Sequence, residues 1–309
     1  VVGYVTAGTG SDTLRLAGSG SFALGLLGNE AQYRDFETLF LGSDASYAAT
    51  GSSNFAGNVT LDGQLNLNGS LASAAVTMGN GAGLSGNASL GSLTVNSGAT
   101  VSPGNSIGTV NVAGTVTFNA GSTYVVEANA TSSDQIVAGI AAINGGTVVM
   151  SIADGPINVG QVYTIVSTSE TTTPDGQFAT LLAPDYLFID PTLGKAGASV
   201  TVTLARNGTS FASFAQTANQ TAVANALDAA GTGTLYSSIV SLQPGEQGGL
   251  ATGYDLLSGE AHASLGATLY NQNTLVADTL GSRLRPAPAG SGPYNHLRAH
   301  GDRDDLVIR

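Results

Sequence analysis

Asn58-Val59-Thr60-Leu61-Asp62-Gly63, Leu65-Asn66-Leu67-Asn68-Gly69 and Leu93-Thr94-Val95-Asn96-Ser97-Gly98 decide how this chain is read. Each is a short run of alternating apolar and polar residues that ends in an Asn/Gly turn signal. Val110-Asn111-Val112-Ala113-Gly114 and Val116-Thr117-Phe118-Asn119 repeat the pattern, which holds from about Ser21 to Gly145. A repeat of roughly 20 residues built from strands predicts a solenoid. The fold class expected is therefore all-β, a right-handed parallel β-helix wound as a single-stranded solenoid. Asn and Gly take its corners because they tolerate left-handed backbone, and Val, Leu and Ile stack inside.

Beyond Thr147 the strands lengthen and become more apolar. Val148-Val149-Met150-Ser151-Ile152, Val162-Tyr163-Thr164-Ile165-Val166, Tyr186-Leu187-Phe188-Ile189 and Ser199-Val200-Thr201-Val202-Thr203-Leu204 are joined through Pro156, Pro174, Pro184 and Pro191. They read as a β-sandwich-like C-terminal cap, which a solenoid needs because its last turn otherwise presents unpaired backbone and bare core. At Asn207-Gly208 the period becomes helical. Phe211, Phe214, Ala218, Val223 and Leu227 form one tract stopped by Gly231 and Gly233, and Leu235 to Leu242 forms a second. A third helix is expected from Tyr254 to Arg285, and Pro286 to Pro293 reads as an extended linker.

Of the 309 residues, 43 are Gly, 10% are charged and 42% are hydrophobic. So few charges argue against a helical or α/β cytosolic enzyme, and the apolar share argues against disorder. Nine basic residues stand against twenty-one acidic ones, and only Arg15, Arg34, Lys195 and Arg206 precede Ser282. Such a surface cannot neutralise phosphates, which excludes nucleic acid as a partner. The lack of Cys removes disulfides, thiolate nucleophiles and thiolate metal sites. Val1-Val2-Gly3-Tyr4 is no signal peptide, no stretch of 18 apolar residues occurs, and the chain reads as a fragment.

Local motifs do not assemble into chemistry. Gly81-Ala82-Gly83-Leu84-Ser85-Gly86 matches the dinucleotide fingerprint but lacks the following helix and the acidic residue, so its glycines read as turns. His262-Ala263-Ser264-Leu265-Gly266 is no nucleophile elbow, and His296 and His300 sit in a charged tail. Asp134, Asp154, Asp175, Asp185 and Asp190 read as turn caps rather than a carboxylate pair or calcium ligands. Six Asn-x-Ser/Thr sequons, at Asn58, Asn68, Asn87, Asn129, Asn207 and Asn219, follow from the composition. The residues thus predict no catalytic, cofactor or metal site and no enzymatic activity.

The order of parts resembles the C-terminal passenger and linker of a bacterial autotransporter, the type V secretion, pertactin-like family. Phe22 to Glu30 with Tyr33 to Glu37 resembles a passage before the last turns of such passengers. Val101-Ser102-Pro103-Gly104-Asn105-Ser106-Ile107-Gly108-Thr109 is similar to the passenger-associated repeat, and Gly121 to Tyr124 followed by Ser133-Asp134 resembles the opening of the autochaperone region. Leu257-Ser258-Gly259-Glu260-Ala261-His262, ending at Arg283-Leu284-Arg285, looks like the segment that leads into the translocator barrel. The resemblance makes Ser102, Pro103, Gly104, Asn105, Ser106, Ile107, Gly108, Tyr124 and Asp134 family-motif residues. It makes Ser258, Gly259, Glu260, His262, Arg283 and Arg285 pore-linker residues. It implies β-helix turns over 1–120, an autochaperone-like cap over 121–206, a helical linker over 207–285 and a disordered tail over 286–309. The implied role is structural: a monomeric stem, without cofactor, whose cap nucleates folding and assists translocation to the surface of a Gram-negative cell. The implied partners are an outer-membrane translocator barrel, here missing, and a host surface or matrix. The alternative is a polysaccharide-active or proteolytic β-helix enzyme, or an adhesin, with its active head upstream of residue 1.

Overall fold

The computed structural model describes residues 3–153, 155, 157–169 and 174–284, with the side chains of 260–263 and 283–284 left aside. The chain divides into two compact units, 1–251 and 252–309. Among the described residues, eighteen strands of the first unit share one long sheet.

Pairing in that sheet is mostly parallel and recurs at steps of roughly 17 to 33 residues. One series runs Thr38↔Asn58, Asn58↔Ala75, Val76↔Leu93, Leu93↔Val116 and Val116↔Ala141. A second runs Ser46↔Gln64, Gln64↔Gly83, Gly83↔Thr100, Thr100↔Thr123, Thr123↔Thr147 and Thr147↔Thr180. A third joins Ser70↔Ser89, Ser89↔Asn111, Thr109↔Gln135 and Ile136↔Val166. This register is compatible with the expected β-helix.

The period-two pattern sets which residues are buried. Leu65, Leu84, Val101, Tyr124 and Val148 occupy matched inward positions in successive strands, each 5% exposed or less. Each aliphatic side chain so buried contributes about 1.5–3 kcal/mol relative to exposure. The long strands Ser89–Val95, Thr109–Phe118 and Gln135–Ile143 pass from one series to another through bends at Gly91, Gly114 and Gly139. A Cβ at Gly91 would lie 2.6 Å from the Ala74 carbonyl of the preceding turn, so only glycine lets the backbones stack there.

The change of strand character at Thr147 does not begin a separate sheet. Thr147–Ile152 pairs in parallel with Thr123–Ala128 on one side and with Thr180–Leu182 on the other. Antiparallel pairing starts where Val162–Thr168 meets Ser199–Arg206, which in turn pairs with Ile189–Ala196. These strands extend the same sheet rather than forming one half of a sandwich. Apolarity reports burial, not the direction of the partner strand.

Four α-helices follow among the described residues. α1 (Ala218–Ala230) is opened by a capping box between Thr217 and Gln220 and closed by Gly231 at φ 66°. α2 is Thr234–Val240, and both belong to the first unit. The single helix expected from Tyr254 is two, α3 (Leu250–Ser258) and α4 (Glu260–Leu284). Gly259 at φ 74° separates them, because left-handed backbone ends the helical hydrogen-bond ladder. In α4, Leu265, Leu269, Leu275, Val276 and Leu280 are each more than half exposed.

Candidate functional site

The motif from Ser102 to Gly108 closes one turn of the stack. Ser102 and Pro103 end the strand Thr100–Pro103. Gly104, at φ 81°, forms an antiparallel bridge with Gly86, exchanging hydrogen bonds of 2.9 and 3.0 Å. The chain then folds back so tightly that a Cβ on Gly104 would meet the Ser106 carbonyl at 1.9 Å.

Asn105 reaches across two earlier turns. Its Oδ1 accepts from Asn66 Nδ2 at 2.6 Å and its Nδ2 donates to Asn68 Oδ1 at 3.1 Å. Asn66 also donates to Ser85, and Asn68 to Asn66. Beside this network runs a surface groove of about 560 Å³, lined by Ser46, Gln64, Asn66, Ser85 and Ser102 among others.

Asp134 is fully buried and clamps the end of the motif. Its Oδ1 accepts the Gly108 N–H at 2.7 Å and its Oδ2 the Glu127 N–H at 2.8 Å. Burial pushes its carboxyl from 3.8 up to about 6, against the pull of the two N–H donors and with the Glu127 charge adding to the rise. Both oxygens are thus committed to backbone donors.

Tyr124 is equally buried but serves another contact. Its hydroxyl donates to the Ile165 carbonyl at 2.6 Å, and its ring lies 5.5 Å from Phe118 and 6.0 Å from Phe178. Burial, with Asp134's charge adding, holds its phenol well above the ordinary range. The structure therefore joins Gly108 to Asp134 directly, while Tyr124 ties the parallel strands to the strand Val162–Thr168.

Of the linker residues, Ser258 donates to the Asp255 carbonyl at 2.7 Å and Gly259 makes the break before α4. Glu260, His262 and Arg283 carry side chains outside those described, and Arg285, His296 and His300 lie outside the described residues. Among the described residues no three His, Cys, Asp or Glu side chains gather as a metal site. No helix among them is long and apolar enough to cross a membrane, which says nothing of membrane strands.

Two arrangements escaped the sequence reading. Asn119 Nδ2 donates to Asn96 Oδ1 at 2.8 Å, and Asn144 Nδ2 to Asn119 Oδ1 at 3.1 Å, an amide ladder up one corner. Its signal was present: each of these Asn is followed two positions later by a glycine with positive φ, Gly98, Gly121 and Gly146. The second is Arg206, paired with Asp228 at 2.9 Å and placed over the rings of Phe188 and Phe211. Nothing local marks that pair.

No family model matches the chain. It is similar to an extracellular serine protease of Serratia marcescens, 28% identical over 220 residues, covering 55% of this chain and 21% of that protein. The chain thus spans about a fifth of that relative's length. This match corrects the expectation that enzymatic activity is excluded, because the similar protein is an enzyme. The motifs and few charges of these residues describe this segment alone, and one segment does not report the chemistry of the protein around it.

Proposed function

We propose that these residues are part of a secreted passenger of the autotransporter type. In this reading a parallel β-helix stem over 1–120 leads into an autochaperone-like cap over 121–206 and a helical linker over 207–285. The linker leads to an outer-membrane translocator barrel, and the protein acts at the cell surface or beyond it. The observation that carries the reading is the parallel register repeated on three strand series, in a chain similar to an extracellular enzyme. The mechanism is physical. Each turn that closes on its neighbour buries apolar side chains, and a chain buried on the outside of the membrane does not slide back. The cap closes first because its contacts do not depend on turns that have not yet arrived.

The relative's activity enters the same proposal: the protein to which these residues belong hydrolyses peptide bonds with a serine nucleophile. A fluorophosphonate probe on the secreted full-length protein tests that part, and absence of labelling with intact secretion overturns it. For the secretion role, the chain is fused to a translocator barrel in a Gram-negative host and surface exposure is read by added protease. Deleting 121–206 is expected to abolish display of residues 1–120. Equal display without those residues contradicts the proposal.

A further inference from the structure

The strand Thr123–Ala128 leaves the stack in a tight hairpin that returns at Asp134. Ala128 bridges Ser133, the Asn129 N–H donates to Ser132 O at 2.9 Å, and the Asp134 N–H donates to Glu127 O at 2.8 Å. The tip, Asn129-Ala130-Thr131-Ser132, is exposed throughout. It is also held: the Tyr163 hydroxyl donates to the Asn129 carbonyl at 2.7 Å, and Asp134 grips the hairpin's base through the Glu127 N–H.

This tip is one of the six Asn-x-Ser/Thr sequons, and the structure separates it from the other five. Its Asn129 Oδ1 accepts from the Thr131 N–H at 2.9 Å, the Thr131 hydroxyl at 3.3 Å and the Ser132 N–H at 2.9 Å. The oxygen end of the carboxamide is thereby occupied, and among the described residues the Nδ2 end has no partner. Asn58 is fixed in a strand paired on both sides, with Thr38 and Ala75. Asn68 Nδ2 donates to Asn66, and Asn207 Nδ2 to the Leu187 carbonyl. Asn87 is tied to Asn68 and Thr109, and Asn219 lies in the first turn of α1. Asn129 also has a carboxylate two residues before it, the exposed Glu127, where the other five sequons have Ala56, Asn66, Ser85, Ala205 and Thr217. That charge gives a transferase with a cationic acceptor groove a means of selection.

We propose that Asn129 is an N-glycan acceptor site on this protein, presented by the hairpin Glu127–Asp134 to a transferase that uses a diphosphate-activated sugar. In the transfer, Asn129 Nδ2 forms a bond to the anomeric carbon while that carbon's bond to the diphosphate oxygen breaks. The diphosphate leaves with the electron pair, and the nitrogen's proton passes to a base of the transferase. The Thr131 hydroxyl, already on the carboxamide oxygen, orients the amide for attack. The glycan would stand clear of the stack, because the tip leaves the ladder before Asn129 and rejoins it only at Gln135.

The purified, folded chain is incubated in one arm with a bacterial oligosaccharyltransferase and a lipid-diphosphate oligosaccharide. A second arm contains a soluble N-glucosyltransferase and UDP-glucose. Intact mass and peptide mapping are the readouts, and the arm that adds mass identifies the donor type. The expected result is one glycan at Asn129, lost in Asn129→Gln and Thr131→Ala and slowed roughly tenfold in Glu127→Gln. All three positions are exposed, so the variants keep the fold. No added mass in either arm, transfer to Asn58 or Asn87 as readily as to Asn129, or full transfer to Thr131→Ala overturns the proposal.

Discussion

Between Thr13 and Leu182 the backbone makes nearly the same contact turn after turn, whereas between Tyr186 and Leu242 hardly any contact is repeated. In the first region Thr38, Asn58, Ala75 and their successors pair in parallel, and amides of Asn96, Asn119 and Asn144 stack at one corner. In the second, Phe188 meets Phe211 at 4.8 Å and Phe214 at 5.5 Å, and Phe211 meets Tyr236 at 5.5 Å. Arg206 sits over two of these rings and pairs with Asp228, and the Leu187 N–H donates to the Leu242 carbonyl at 2.9 Å. A turn of the first region is stabilised only by its neighbours, so its stability is shared along the stack. The end region closes on itself through contacts that have no second copy.

Truncating a buried side chain is expected to cost different amounts in the two regions. Phe188→Ala removes a fully buried ring from the end cluster and is expected to cost about 3–5 kcal/mol in urea unfolding. Val101→Ala, inside the stack between Leu84 and Tyr124, is expected to cost about 2 kcal/mol. Equal costs would erase the difference between the two regions.

Asp134 gives a prediction whose sign depends on burial. Its folded carboxyl titrates at about 6 and its unfolded one near 3.8, so between those values the folded state binds more protons. Stability therefore rises as pH falls through about 6 and levels off below the unfolded value, by at most about 3 kcal/mol. Asp134→Asn should flatten that rise. A stability curve with the opposite slope would mean that the two N–H bonds outweigh desolvation.

Asn119→Ala removes the middle of the corner ladder and should cost about 0.5–1.5 kcal/mol by thermal unfolding, a modest effect because the corner is partly solvated. The smallest expected effect is that of EDTA, which should leave the unfolding midpoint unchanged. A fall of several degrees would point to cations at the acidic turns.

Much of the parallel region was legible in the sequence, because alternating runs such as Leu65-Asn66-Leu67 state both strand and inward face. Gly108 and Asp134 were legible only as motif positions; that one clamps the other requires the hairpin that brings residue 134 back beneath residue 108. The antiparallel turn of the sheet was not legible, since Val148 and Val202 are equally apolar while their partner strands run in different directions. Gly259 was visible, but a glycine within a helical period does not declare left-handed backbone. Arg206 and Asp228 lie far apart in the chain, and no spacing rule joins them.

Limited proteolysis of the folded chain tests the central contrast most directly. A fragment containing Tyr186 to Leu242 is expected to persist while Ser21 to Asn96 is cut away. Survival of Ser21 to Asn96 for as long as, or longer than, Tyr186 to Leu242 would contradict the contrast.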